Sequence, residues 1–348
     1  MISFSDFLGA LATNPLLLII TALVAGAIFI NGATDASNAI ASAIGTRSIE
    51  PTAAVILGAI CNFVGLIVMT YLSTAVADTI GKMVDFGSDR EAALIALAAA
   101  MVSIIVWGAV AWRFGIPTSQ SHSLIAGLTG AAIAVQGGLS GINFSEWIKV
   151  IYGLVISTVL GFGLGWFLTK TIERLFAGVK RSTANRIFRV ANVCSALFLA
   201  LMHGAQDGQK FMSIAMLGIA LAVGIDGAAN SYPFWIMTGC ALAMAIGSGI
   251  GGKRIIKSVG MNMVSLEKHQ GFAGSFAAAL CLLGATLIGI PVSTTHTNTT
   301  AVMGTGAAKN PKRVQWNLAG NMVLTWIFTF PGCGLIGFAL ARILETIL

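Results

Sequence analysis

The sequence predicts an all-α polytopic membrane protein: two inverted-topology repeats of about five to six helices each, with broken or re-entrant helices at the midplane. Three observations carry this. Only 9% of the 348 residues are charged and 56% are hydrophobic, whereas soluble domains carry about 25% charged residues. A soluble chain this apolar would expose large apolar patches. Apolar runs of about 20 residues recur, the length that crosses a hydrocarbon core of roughly 30 Å. Two polar motifs at the ends of those runs are each written twice.

The apolar runs lie near 15–31, 51–77, 91–113, 123–136, 147–169, 187–203, 211–225, 233–252, 271–290, 299–308 and 314–344. Without water to pair backbone groups, such segments are helices or strands of a closed barrel. Unbroken apolar runs, rather than alternation, select helices. The first run has no basic n-region and no small-residue cleavage site, so it is expected to be a retained span rather than a signal peptide. Cys61, Cys194, Cys240, Cys281 and Cys333 stand singly in apolar segments, which argues against a disulfide framework or metal cluster.

The net charge of +7 is a matter of topology, not of nucleic-acid binding. The basic residues gather at Lys170, Arg174, Lys180, Arg181, Arg186 and Arg189, at Lys253, Arg254, Lys257 and Lys268, and at Lys309, Lys312 and Arg313. The positive-inside rule makes these loops cytoplasmic. The loops around 137–146 and 225–232, poor in Lys and Arg, are then external.

Asn31-Gly32-Ala33-Thr34-Asp35 finds an echo in His203-Gly204-Ala205-Gln206-Asp207. Gly115-Ile116-Pro117-Thr118-Ser119-Gln120-Ser121-His122 finds another in Gly289-Ile290-Pro291-Val292-Ser293-Thr294-Thr295-His296. Asp35 and His122 are 87 positions apart, Asp207 and His296 89. We therefore expect an N-terminal repeat (1–175), a basic cytoplasmic linker (176–190) and a C-terminal repeat (191–348). With an odd number of crossings per half, the repeats are inverted and both termini are external. Inverted repeats belong to secondary transporters, whose sites lie near the midplane between the repeats.

Asp35 and Asp207 sit deep in apolar stretches, where an ionisable group costs several kcal/mol and so needs a partner. Asn31, Thr34, Ser37 and Asn38 surround Asp35 with oxygen atoms, and Gly32 suits a helix break that frees carbonyls. Carboxylates with unwound carbonyls hold monovalent cations in such transporters. Asn31, Asp35, Asn38 and Asp207 are accordingly the expected Na⁺ ligands. The bland alternative for Asp207 is an ion pair with Lys210 one turn on, and for the glycines it is helix packing.

In the second motif, Pro117 and Pro291 suit the first turn of a helix. The hydroxyl and amide residues that follow can cap it or donate outward. A half-helix starting inside the membrane aims its amides, with about half a positive charge, at an anion. Thr118, Ser119, Gln120, Ser121, Ser293, Thr294 and Thr295, with Gln206, form the expected anion site. His122, His203 and His296 are candidate orienting or proton-linked groups.

Asn31–Ala39 and His203–Lys210 resemble the paired Gly-Ala-Asn-Asp signatures of the inorganic phosphate transporter family, of the sodium/phosphate symporter type. The two Gly-Ile-Pro segments resemble its paired Pro-x-Ser-x-x-His motifs, and Gly252–Lys257 resembles a further segment of its second half. The family's Asn before Asp is Thr34 in one copy and Gln206 in the other, and the linker is short. The resemblance implies a cell-membrane symporter of inorganic phosphate, a homodimer, with Na⁺ or H⁺ as coupling ion, no other cofactor and the lipid bilayer as its surroundings. Some prokaryotic relatives carry sulfate.

Function is then expected to be phosphate import by Na⁺ symport through alternating access. The rivals are proton coupling, sulfate as cargo, an anion channel, and an intramembrane hydrolase using Ser119–His122 or Ser293–His296. Duplication of the pair fits a symmetric binding site better than one reaction centre.

Overall fold

The structure is a computed structural model that describes residues 2–114, 118–224, 232–251, 264 and 266–347, without the side chains of 313 and 318. Pro117, the Gly252–Lys257 stretch and most of the 225–232 loop lie outside the described residues.

Thirteen α-helices follow one another among the described residues: α1 Phe4–Thr13, α2 Pro15–Thr34, α3 Ala36–Gly45, α4 Pro51–Leu72, α5 Ala75–Gly81, α6 Arg90–Phe114, α7 Gln120–Gln136, α8 Phe144–Leu175, α9 Arg181–Val223, α10 Phe234–Gly251, α11 Lys268–Leu287, α12 Thr294–Lys309 and α13 Trp316–Ile347. Their starts are written in the sequence. Pro15 and Pro51 occupy first-turn positions, where a missing N–H costs nothing. Asn14 caps α2 by accepting from the Leu16 and Leu17 N–H groups at 3.0 and 3.1 Å.

Among the described residues, seven helical segments are long and apolar enough to cross a membrane, α2 and α3 counting as one. The chain is an all-α polytopic membrane protein. α7 and α12 are different. Their 17 and 16 residues span only about 25 Å at 1.5 Å per residue, and both are buried nearly all round.

Elements recur in register. α13 begins and ends 172 positions after α8, and a 3₁₀ turn at Pro311–Arg313 follows one at Leu139–Gly141 by the same interval. Isolated bridges join Val84 to Ile142 and Val264 to Val314. Packing crosses between the halves: α7 lies on α13 and α12 on α8, while α4 lies on α9 and α10 on α2. Exchanging the halves returns the same set of pairs.

These crossings are close because small residues line them, as in membrane helix pairs generally. A Cβ on Gly65 would overlap the Leu201 carbonyl, and one on Gly204 would overlap that of Asn62. α4 and α9 therefore touch backbone to backbone.

The connecting segments form two groups. On one side, Arg189 Nε donates to Ser48 O at 3.2 Å, His269 lies 3.6 Å from Glu173, and Lys309 pairs with Glu267. On the other, Arg90 donates to Gly224 O at 3.3 Å, the Asp85 N–H to Gly141 O at 2.8 Å, and Trp235 to Ile2 O at 3.3 Å.

The expected break near Gly32 appears at Asp35, a one-residue interruption between α2 and α3 where the Asn38 N–H reaches Asp35 O at 3.0 Å. Gly32 packs against the Met244 carbonyl of α10 instead. The second copy has no break: α9 runs unbroken through Asp207. Here the glycines serve helix packing, and other donors meet the aspartate.

Candidate functional site

Both aspartates and both hydroxyl turns meet in one buried polar centre. Helix capping positions the turns. Ser119 Oγ accepts the His122 N–H at 3.3 Å and Ser293 Oγ accepts the His296 N–H at 3.2 Å, so each serine caps its helix three residues on. The two caps touch, Ser293 Oγ donating to Ser119 Oγ at 2.8 Å. The N-termini of α7 and α12 thus converge, and their aligned peptide dipoles make the meeting point positive.

The carboxylates sit against these ends. Asp35, 2% exposed, accepts the Gln120 N–H on Oδ2 at 3.1 Å, while its Oδ1 has no donor. Asp207 is fully buried and saturated. Its Oδ1 accepts from Lys210 Nζ at 2.8 Å and Ser121 Oγ at 3.2 Å. Its Oδ2 accepts from Asn31 Nδ2 at 3.0 Å and Thr294 Oγ1 at 3.2 Å, with His203 Nε2 3.3 Å away. The ion pair with Lys210, the bland alternative at the sequence level, is present.

Several buried oxygen atoms lack a donor, and those of Asp35, Asn38 and Asn298 belong to residues around one cavity. Asp35 Oδ1, Asn31 Oδ1, Asn38 Oδ1, Ser37 Oγ, Asn298 Oδ1 and Thr299 Oγ1 are buried without a hydrogen-bond donor. Asp35, Asn38, Asn298, Thr294 and His203 line a cavity about one water molecule in size. Asn38 Nδ2 donates to Thr295 Oγ1 at 3.0 Å, and Asn298 Nδ2 to Asn38 O at 2.8 Å. Since buried polar atoms are normally paired, amide oxygens without donors on residues that line a small space beside a carboxylate suit a hard cation.

Several expected residues do other work. Thr118 turns away from the cap contact: its hydroxyl lies 3.1 Å from Thr329 Oγ1 and accepts from Trp107 Nε1 at 3.3 Å. Gln206 donates to Ile290 O at 3.2 Å. His203 Nδ1 lies 2.6 Å from Asn62 Oδ1, which orients its ring. The His122 and His296 rings meet edge-on with centroids 4.3 Å apart, and His296 stacks on Trp326 at 3.6 Å. Their backbone amides, not their rings, bond the serines, so the Ser–His pairs are not assembled as nucleophile and base.

Asn298, which lines the cavity, and Thr299 next to it in sequence lie outside the expected set. Their signal was legible as the polar run Thr297-Asn298-Thr299-Thr300 inside a membrane segment. In the first copy the matching positions hold Leu124 and Ile125.

A family model described as phosphate transporter family matches residues 31–337, from the first aspartate motif into the last helix. The chain belongs to the phosphate transporter family. A probable low-affinity inorganic phosphate transporter of Bacillus subtilis (strain 168) is 36% identical, over 87% of this chain and 89% of its own length. One from Rhizobium meliloti (strain 1021) is 37% identical over 92% and 94%. A solved structure titled "The sodium-dependent phosphate transporter" superposes with a TM-score of 0.88, covering 96% of this chain and 100% of its own, at 21% identity. At that identity the likeness speaks for the fold. As a phosphate transporter family member, this chain is a multi-pass membrane protein.

Proposed function

We propose that this phosphate transporter family member imports inorganic phosphate by Na⁺ symport across the cell membrane, through alternating access. The observation that carries the reading is the hydrogen bond from the Gln120 N–H to Asp35. It ties the end of α7, an anion-binding terminus by its dipole, to the carboxylate beside the unsatisfied oxygen atoms.

Na⁺ is held on this reading by Asp35, Asn38 and Asn298, which line the cavity and carry oxygen atoms without donors, and by Asn31, whose Oδ1 is likewise buried without a donor. Phosphate lies between the converging caps, on the hydroxyls of Ser119, Ser121, Ser293, Thr294 and Thr295 and the amides they cap. It replaces the Ser293–Ser119 contact. Hydroxyls can rotate to suit any oxygen of a tetrahedral anion, and they release it more readily than a bidentate arginine would.

Coupling follows from the shared carboxylate. Without a cation, Asp35 competes for the Gln120 amide and repels the incoming anion in a low-dielectric setting. With Na⁺ on its free oxygen, that negative charge is offset and the amide becomes available. The two ligands then favour one another reciprocally.

The recurring element order and exchanged packing partners support two inverted repeats, residues 1–175 and 191–348. The loop group that holds Arg47, Lys170, Arg174, Arg181, Arg189, Lys268 and Lys309 outweighs the other in basic residues, which makes it the cytoplasmic side and both termini external. Phosphate is preferred to sulfate because the relatives carry that name.

The test is uptake of radiolabelled phosphate into proteoliposomes under an inward Na⁺ or H⁺ gradient, for the wild type and Asp35→Asn. Na⁺-driven uptake in the wild type, lost in the variant, is expected. Uptake driven by H⁺ alone would overturn the choice of ion. Sulfate moving in place of phosphate would overturn the cargo.

A further inference from the structure

The two aspartates occupy matching positions but have different neighbours. Asn38 follows Asp35 by three residues, as Lys210 follows Asp207. The contacts of this pair correspond as well. Asn38 Nδ2 donates to Thr295 Oγ1 at 3.0 Å, and Lys210 Nζ donates to Ser121 Oγ at 2.8 Å; Ser121 and Thr295 each immediately precede the repeated histidine. One structural slot therefore holds a neutral amide in the first half and an ammonium in the second.

The ammonium is coordinated like a bound ion. Lys210 is fully buried, and its Nζ donates to Asp207 Oδ1 at 2.8 Å, Ser121 Oγ at 2.8 Å and Val292 O at 2.6 Å. An ammonium has three N–H donors, and three oxygen acceptors meet them. A buried lysine is costly unless paired and hydrogen-bonded, and here both conditions hold.

The neighbouring positions follow the same division. Asn298, which lines the Asp35 cavity, and Thr299 next to it in sequence carry oxygen atoms without donors. Their counterparts in the first copy, Leu124 and Ile125, are apolar and buried. Asp35 retains a free oxygen beside a cavity, whereas each oxygen of Asp207 accepts two hydrogen bonds.

We propose that the Lys210 ammonium is a resident cation, standing where a second coupling ion would otherwise bind at Asp207. This rests on the reading of Asp35 as the mobile-cation site. Lys210 keeps Asp207 neutralised through the whole cycle, so one carboxylate, not two, has to recruit an ion from solution. The lysine thereby sets the number of cations carried per phosphate at one fewer than the duplicated architecture would hold. It acts on stoichiometry by filling a site, and does not itself travel.

The test is equilibrium binding of ²²Na⁺ to the purified full-length protein, together with the Na⁺ concentration dependence of phosphate uptake in proteoliposomes. Wild type, Lys210→Asn and Asn38→Lys are compared, the two variants exchanging the residues of the matched slot. Lys210→Asn is expected to bind one more Na⁺ per chain than wild type, with a steeper Na⁺ dependence of any uptake. Asn38→Lys is expected to lose Na⁺ binding while keeping a monodisperse elution profile, and it decides the matter if Lys210→Asn does not fold. A wild type that binds Na⁺, with Lys210→Asn binding the same number or Asn38→Lys still binding it, overturns this inference alone. A wild type that binds no Na⁺ overturns the cation reading and takes this inference with it.

Discussion

At Asp35 one carboxylate oxygen takes the Gln120 N–H and the other takes none, while Asn298, from the far half of the chain, lines the same cavity with an equally free Oδ1. Replacing Asn298 with leucine, the residue at the matching position in the first copy, keeps bulk and removes that oxygen. The Na⁺ concentration for half-maximal phosphate uptake is expected to rise at least ~10-fold, by analogy with losses around other metal sites, and the maximal rate at saturating Na⁺ to change less. A different residue-level outcome is expected at Glu267, which caps α11 and pairs with Lys309 at the end of α12. The hydrogen bond from Lys309 holds its carboxyl below the usual carboxylate range. A depressed folded-state value stabilises the fold above the ordinary carboxylate pKa, and the benefit is lost as pH falls through the folded one. Glu267→Gln is thus expected to lower thermal stability in detergent slightly at neutral pH, by less than about 1 kcal/mol at so exposed a pair, with the difference vanishing in acid. The sequence alone exposed both aspartates and both hydroxyl turns that cap the short helices, because charge in an apolar run and duplication are visible in one dimension. It did not expose Asn298, whose role depends on α12 lying beside α3.

Among the elements, α9 shows where reading a motif by analogy fails. Its copy of the glycine–aspartate motif matches the first, yet α2 and α3 part at Asp35 while α9 runs through. Lys210, Asn31, Ser121 and Thr294 already satisfy Asp207, so no freed carbonyls are needed there. Three of those four donors lie far away in sequence, which is why the difference was not legible beforehand. Gly204 instead lets α9 rest on the α4 backbone. Gly204→Ala drives a methyl into the Asn62 carbonyl, and overpacking of this kind costs typically 1–3 kcal/mol. A clear fall in the apparent melting temperature of the purified protein is expected. Gly163→Ala on α8 is the control, since a Cβ there meets nothing within 4 Å and alanine favours helix by up to about 1 kcal/mol. It should leave that temperature unchanged or raise it. Equal losses in both variants would show that helix approach is not what Gly204 secures.

Taken whole, the molecule is interlaced. Motif spacing shows that the chain repeats itself, but not that each short polar helix is covered by the long helix at the end of the opposite half. That pairing depends on surfaces, not on order along the chain. If residues 1–175 and 191–348 are produced as separate polypeptides, each alone is expected to be degraded or aggregated, and the two together to restore phosphate uptake in cells. The same interlacing orders events during biosynthesis. α7 emerges from the ribosome early, carrying Ser121 and His122, yet the helix that covers it, α13, does not begin until Trp316. For nearly two hundred residues of elongation the insertion machinery or the unfinished bundle must shelter a helix too short to span the bilayer and too polar for lipid. A chain truncated before Trp316 would release that helix uncovered, so quality control can recognise an incomplete copy by the helix it leaves bare.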